Sequence, residues 1–240
     1  MRYPGPAESS AISLMFLTLT LSILLLTGAV SLREVGKGRE ALNRVDLPEP
    51  KLRGEMSVEE AISKRRSIRE YKKVPLTLSE LGQLLWAAQG ITLPSRGFRT
   101  APSAGATYPL ELYVSVREGG VEGLPAGIYH YDPFTHSLTL HKEGDFSLEI
   151  YRAALNQEWV REAPVCIVIT ADFSRTTSRY GARGERYVYM EAGHVGQNIY
   201  LQATALGLGT VAVGAFYDDQ LKSVVGCDEY PVYLFPVGRR

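Results

Sequence analysis

Cysteine is scarce: the 240 residues hold two, Cys166 and Cys227, far apart and in no C-x-x-C pattern. That count leaves neither a disulfide framework nor a cysteine-based zinc site. The four histidines, His130, His136, His141 and His194, show no ligand spacing either. Net charge is lacking as well, with 26 Lys and Arg against 26 Asp and Glu, so no global field favours nucleic acid. Three signatures are missing: G-x-G-x-x-G, G-x-x-x-x-G-K-[ST] and G-x-S-x-G. Dinucleotide-fold, P-loop and α/β-hydrolase chemistry therefore have no foothold. No internal repeat or low-complexity tract occurs.

What is present is an apolar content of 45%, enough for a substantial core, and a Tyr-rich aromatic set of 14 Tyr against 7 Phe. Residues 1–10 form a short tail. Residues 11–30 carry no charge and match the thickness of a bilayer core, which predicts a single-pass anchor or a signal segment. Arg33, Lys37, Arg39 and Arg44 outweigh Arg2, so the positive-inside rule places the domain in the cytoplasm, with export as the alternative. Residues 31–54, polar and holding Pro48 and Pro50, read as a linker, and 55–240 as the folded domain.

Two capping boxes, Ser57-Val-Glu-Glu60 and Thr77-Leu-Ser-Glu80, predict helix starts, and Gly90 closes the second helix. Residues 91–100 read as a loop. A strand is expected over 112–116, then a hairpin from 127–131 and 137–141 around Asp132-Pro133. A helix over 145–156, a central strand over 164–170, a polar loop over 174–184 and a long helix over 185–206 follow. The series ends with a strand at 210–213, a helix at 218–225 and a last strand at 230–237. Gly193 and Gly196, inside the long helix, predict close packing. Interspersed hairpins and helices make the fold class α+β.

Arg65-Arg66-Ser67-Ile68-Arg69 places three guanidinium forks and a hydroxyl within five residues, at a predicted helix end. Such a set suits phosphate. A flavin mononucleotide needs that, together with a flat apolar wall where backbone approaches closely, a cation near the pyrimidine ring and a backbone donor at N5. The cofactor then carries the chemistry, so no side-chain nucleophile is required.

In five ordered landmarks the chain resembles the nitroreductase family of FMN-dependent oxidoreductases, in its SagB-type dehydrogenase branch. They are Arg65–Arg69, the run Ala101-Pro-Ser-Ala-Gly-Ala-Thr-Tyr-Pro109 continuing to Val114, Glu191–Asn198, Leu206–Phe216 and Pro236–Arg240. The resemblance implies a nitroreductase-like fold, a central mainly antiparallel sheet flanked by helices, in an intertwined homodimer with two FMN sites. Arg65, Arg66 and Ser67 would hold the phosphate and ribityl chain, joined by Arg239, and Arg69 the pyrimidine edge. Pro102, Ser103, Ala104 and Gly105 of the partner would form the wall, and Val213, Gly214 and Ala215 would supply the N5 donor.

The implied activity is hydride transfer through the flavin between NAD(P)H or another donor and a small-molecule or peptide substrate. An azoline dehydrogenase of modified-peptide biosynthesis and a non-catalytic flavin-binding protein are the alternatives. Ala106 stands where many nitroreductases have asparagine. Arg179-Tyr180 stands where the azoline enzymes have a Lys-Tyr pair, leaving Tyr180 as the candidate catalytic acid, because arginine holds its proton.

Overall fold

The structure, a computed structural model, describes residues 43–240. The apolar segment 11–30 lies outside the described residues, and among those described no helix is long and apolar enough to cross a membrane.

Nine strands and seven α-helices follow one another along the described chain. They are β1 (Arg44–Asp46), α1 (Val58–Lys64), α2 (Leu78–Gln89), β2 (Ile91–Leu93), β3 (Phe98–Arg99), β4 (Leu110–Val116), β5 (Gly127–Asp132) and β6 (Ser137–Glu143). Then come α3 (Ser147–Ala153), α4 (Glu158–Glu162), β7 (Val165–Ala171), α5 (Phe173–Tyr180), α6 (Arg183–Ala205), β8 (Leu208–Thr210), α7 (Asp218–Val225) and β9 (Tyr230–Arg239). Seven strands form one sheet in the order β1-β6-β5-β4-β7-β9-β8. The pairings from β6 through β8 are all antiparallel. This is the α+β class that the sequence predicts.

Alternation along the strands sorts the core into two layers. Leu110, Leu112, Val114 and Val116 of β4, with Ile167 and Ile169 of β7 and Phe235 of β9, pack with Leu81, Leu84 and Leu85 of α2 and Val188, Val195 and Ile199 of α6. Tyr113, Cys166, Val168 and Leu234 point the other way, into a layer with Ile150 of α3, Val160 of α4 and Leu221 and Val225 of α7. Cys166 is thus a buried strand residue.

Both helix starts are as expected, but only the second is a full capping box, since the Glu60 carboxylate turns to Lys64 instead of the Ser57 backbone. Ser57 Oγ accepts from Glu60 N at 3.1 Å, and Thr77 closes a reciprocal box with Glu80. Four expectations are corrected. The chain at 91–99 is the β2–β3 hairpin rather than a loop. The helix expected over 145–156 stops at Ala153, because Leu155 and Asn156 both take a left-handed φ of 57°, and α4 follows. The loop expected over 174–184 is largely α5, capped by the Asp172 side chain, which accepts from Ser174 N at 3.0 Å. Its polar composition hid it because only Thr176 is buried. Finally, part of the stretch read as linker is built into the fold: β1 joins the sheet beside β6, and Leu47 is buried.

Candidate active site

The basic strip is laid on the sheet by backbone contacts. Arg65 caps α1, its N–H donating to Ala61 O at 2.9 Å, and the chain then extends. Ile68 N donates to Thr210 O at 2.9 Å and Lys72 N to Arg239 O at 2.8 Å, so the strip bridges both β8 and the end of β9. Close approach is possible because β8 and β9 present glycines there. A Cβ on Gly209 would stand 2.6 Å from Ile68 Cγ2, and one on Gly238 2.8 Å from Tyr71 Cβ. Basic residues more than 160 positions apart in sequence thereby meet at one end of the sheet.

Their side chains are held in different ways. Arg65 lies over the Tyr200 ring at 5.1 Å, and Ser67 Oγ is 2.9 Å from Tyr200 Oη. That hydroxyl also accepts from Ala212 N at 2.8 Å, so Tyr200 ties the strip to the segment leaving β8. Arg69 stacks on Trp159 at 5.3 Å, and the buried Trp159 Nε1 has no hydrogen-bond partner. Arg66 turns back to donate to Ser63 O at 2.9 Å and Arg65 O at 2.7 Å, satisfying carbonyls at the end of α1. Arg239 donates to Glu80 Oε2 at 2.9 Å and to Pro75 O at 3.3 Å.

Beyond Tyr200 the chain makes the turn Val213-Gly214-Ala215. Val213 exchanges backbone hydrogen bonds with Leu234 at 2.8 and 3.0 Å. Gln157 Nε2, from the break between α3 and α4, donates to Ala215 O at 2.9 Å and to Ala154 O at 2.8 Å. Gly214 and Ala215 themselves are exposed.

The wall is a different construction. Pro102 to Gly105 lead through a 3₁₀ turn at Ala104–Ala106, in which Gly105 (φ 62°) and Ala106 (φ 54°) are left-handed, as is Tyr108 (φ 44°). Such angles are costly for residues with a Cβ, so neighbours must enforce them. Several do. Ser103 Oγ accepts from Tyr108 N at 2.9 Å, Thr107 Oγ1 meets Thr176 Oγ1 at 2.8 Å, and Arg179 Nη1 donates to Gly105 O at 2.9 Å. A Cβ on Gly105 would fall 2.6 Å from Tyr180 Oη. Helix α5 is pinned in turn by Arg175, which donates to Glu111 Oε1 at 2.6 Å and to Tyr108 O at 3.1 Å. Burial opposes ionisation of Glu111, but hydrogen bonds from His130 and Arg175 hold its carboxyl below the ordinary range. Tyr180, expected in a loop, ends α5 at the wall.

Helix α6 carries both constructions. Tyr200 serves the strip, and His194 Nδ1 is 3.4 Å from Pro102 O. Six residues separate them, about 9 Å along the axis and about 120° around it. Strip and wall therefore lie on different sides of one helix. Among the described residues, no group of three or more His, Cys, Asp or Glu is placed to hold a metal ion.

Comparison with known proteins agrees with this architecture. The model of the nitroreductase family matches residues 62–239. The chain belongs to the nitroreductase family. A nitroreductase-family protein of Methanocaldococcus jannaschii is 52% identical over 186 residues, covering 78% of this chain and 92% of its own length. The microcin B17-processing protein of Escherichia coli is 26% identical over 164 residues, 67% of this chain and 60% of that protein. Among solved structures, a nitroreductase from Ralstonia eutropha superposes with a TM-score of 0.71 at 31% identity, covering 82% of this chain and 89% of that one. The NADPH:FMN oxidoreductase of Vibrio harveyi shares the fold at a TM-score of 0.54 and 18% identity, over 76% and 68% of the two chains.

Within this nitroreductase, backbone bridges seat the strip from Ser67 to Lys72 against β8 and the end of β9, where Arg239 turns to Glu80 while Arg65 and Ser67 turn to Tyr200, and Pro102–Gly105 belong to a separate construction further back on α6. Three participants went unread in the sequence, Tyr200, Trp159 and Gln157, and Glu80 was read only as a capping-box residue. Each acts here through a partner far along the chain, and no motif marks that role. Two polar residues of α6, His194 and Gln197, are exposed. Asn198 does bond inward, donating to Ala87 O at 3.0 Å.

Proposed function

We propose that this nitroreductase is an FMN-dependent oxidoreductase acting as a homodimer. The observation that carries the reading is the pair of backbone bridges, Ser67 to Thr210 and Lys72 to Arg239, that seats the basic strip against β8 and the end of β9. The donor set suits a phosphate: guanidinium groups and a hydroxyl, with Glu80, the carboxylate bonded there, already held by Arg239 and its capping box. Arg65, Ser67 and Arg239 would bind the phosphate and ribityl chain, with Arg66 beside them. Arg69 would face the pyrimidine edge, where Trp159 keeps its guanidinium oriented. Val213–Ala215, tethered through Gln157, would offer backbone groups to N5. Bound FMN supplies the hydride chemistry, taking it from NAD(P)H or another donor and delivering it to a small molecule or peptide.

The dimer is supported by the divergence of strip and wall around α6, which one chain alone does not present to one ligand. Pro102–Gly105 of a second copy would complete the site. Exposed Tyr189, Met190 and Gly193 run along the same helix, and a Cβ on Gly193 would meet nothing within 4 Å. An open glycine inside a 23-residue helix costs about 1 kcal/mol with no return within the chain, which fits the approach of another backbone. Residues 11–30 would hold the domain at a membrane, on its cytoplasmic side by the charge rule.

A second reading, oxidation of peptide azolines, is favoured by the placement of Arg179 and Tyr180 against Gly105 and by the likeness to a microcin-processing protein. Tyr180 would donate or accept the proton, and Arg179 would stay charged and hold the loop.

The test is anaerobic mixing of the FMN-loaded full-length protein with NADH or NADPH. Loss of the flavin's visible absorbance is the expected result. Persistence of colour with both, together with bleaching by an azoline peptide, replaces the first reading with the second.

A further inference from the structure

Glu191 is the least expected side chain on α6: a carboxyl only 2% exposed in the middle of the long helix. Its Oε1 has no hydrogen-bond partner. Two neighbours that act on it share that condition, namely Gln89 Nε2 at the end of α2 and Arg99 Nε in β3. Arg99 reaches Gln89 Oε1 at 3.1 Å and lies over the Tyr108 ring at 4.8 Å, so these groups form one cluster behind the wall. Buried polar atoms are nearly always paired, and three unpaired ones together are a functional signal rather than noise. Two are donors and one is an acceptor. Burial pushes the Glu191 carboxyl up to about 7, against the pull of the Ser103 hydroxyl, the Gln89 amide and the Arg99 guanidinium.

Ser103 links this cluster to the surface. Its Oγ accepts from Tyr108 N, which leaves its O–H to donate towards Glu191, while the residue itself is half-buried at the face of Pro102–Gly105. We propose that Glu191 is the proton-exchanging residue of the wall, taking up a proton from solvent when a flat aromatic ligand covers Pro102–Gly105. The inference rests on the FMN reading above. Covering the wall removes water from the Ser103 side, and desolvation favours the neutral carboxyl. The other ionisable groups nearby are Arg99 from β3, His194 one turn on along α6, and Arg179 and Tyr180 from α5 at Gly105. Among them, Arg99 acts directly on Glu191, and it favours the charged form.

Calorimetry of FMN binding to the full-length protein at about pH 7.5, in two buffers of different ionisation enthalpy, counts the protons taken up. Wild type should take up a sizeable fraction of a proton per flavin beyond that of Glu191→Gln, whose amide cannot titrate; the phosphate's own titration is common to both. Ser103→Ala gives a second reading if Glu191→Gln fails to fold. Without the donor, the free protein already holds more of the proton, so uptake should fall below wild type. Equal proton counts in wild type and the folded variant overturn the proposal and leave FMN binding intact. Failure of wild type to bind FMN removes the reading and this inference with it.

Discussion

The strip at Arg65–Arg69 and the wall at Pro102–Gly105 solve the same problem, presenting a surface to a ligand, by opposite means. The strip relies on side-chain charge, exposed and spread along an ordinary extended backbone that is hydrogen-bonded to β8 and β9. The wall has almost no side-chain chemistry at its face. Its shape comes from three left-handed residues, and it depends on α5 and α6 to keep that shape. Charge can be lost from the strip without unfolding it, whereas the wall couples shape to stability.

The largest effect should come from stripping charge. Arg65→Ala with Arg239→Ala removes two charge-assisted partners of about 1.5–3 kcal/mol each, so FMN affinity measured by equilibrium dialysis should fall at least about 100-fold. The melting temperature should stay within a few degrees of wild type. On the wall side, Gly105→Ala adds a Cβ at φ 62° and 2.6 Å from Tyr180 Oη, and should cost about 1–3 kcal/mol in denaturant unfolding. A change below about 0.5 kcal/mol would erase the distinction drawn here.

Glu191 sharpens the comparison through pH. Between the ordinary carboxylate range and about 7, the folded chain keeps a proton that the unfolded chain has released. Stability should therefore fall as pH rises through that window, by on the order of 2 kcal/mol, and level off above it. In Glu191→Gln that loss should vanish. An equal slope in both proteins would assign it elsewhere. The smallest change is Tyr200→Phe, which removes a hydroxyl shared by Ser67 and Ala212 N. A loss of about 1 kcal/mol is expected, with FMN affinity reduced less than in the double arginine variant.

The contrast also explains what the sequence disclosed. Helix starts at Ser57 and Thr77, the β5–β6 hairpin and the apolar β7 were legible because each signal is local. Arg65–Arg69 was legible for the same reason, as dense charge of one kind. Helix α5 was not, since its partners, Glu111, Gly105 and Thr107, are all more than 60 residues away. The α3–α4 break was hidden because Leu155 and Asn156 carry no glycine to announce a left-handed turn. Gly193 and Gly196 looked alike in sequence, yet a Cβ on Gly196 would meet the Phe235 ring at 2.7 Å and one on Gly193 meets nothing. Only the packing separates them. Tyr200, Gln157 and the tie from Glu80 to Arg239 were invisible for the corresponding reason: these roles are defined by what the residues touch.

The central claim, that two copies of this chain close around FMN, is tested most directly by sedimentation of the full-length protein with FMN added, followed at the flavin's visible absorbance. The account predicts that flavin colour travels with a dimer at one FMN per chain, and that Arg65→Ala with Arg239→Ala gives a dimer without colour. Flavin left at the meniscus while wild-type protein sediments as a colourless monomer would contradict it.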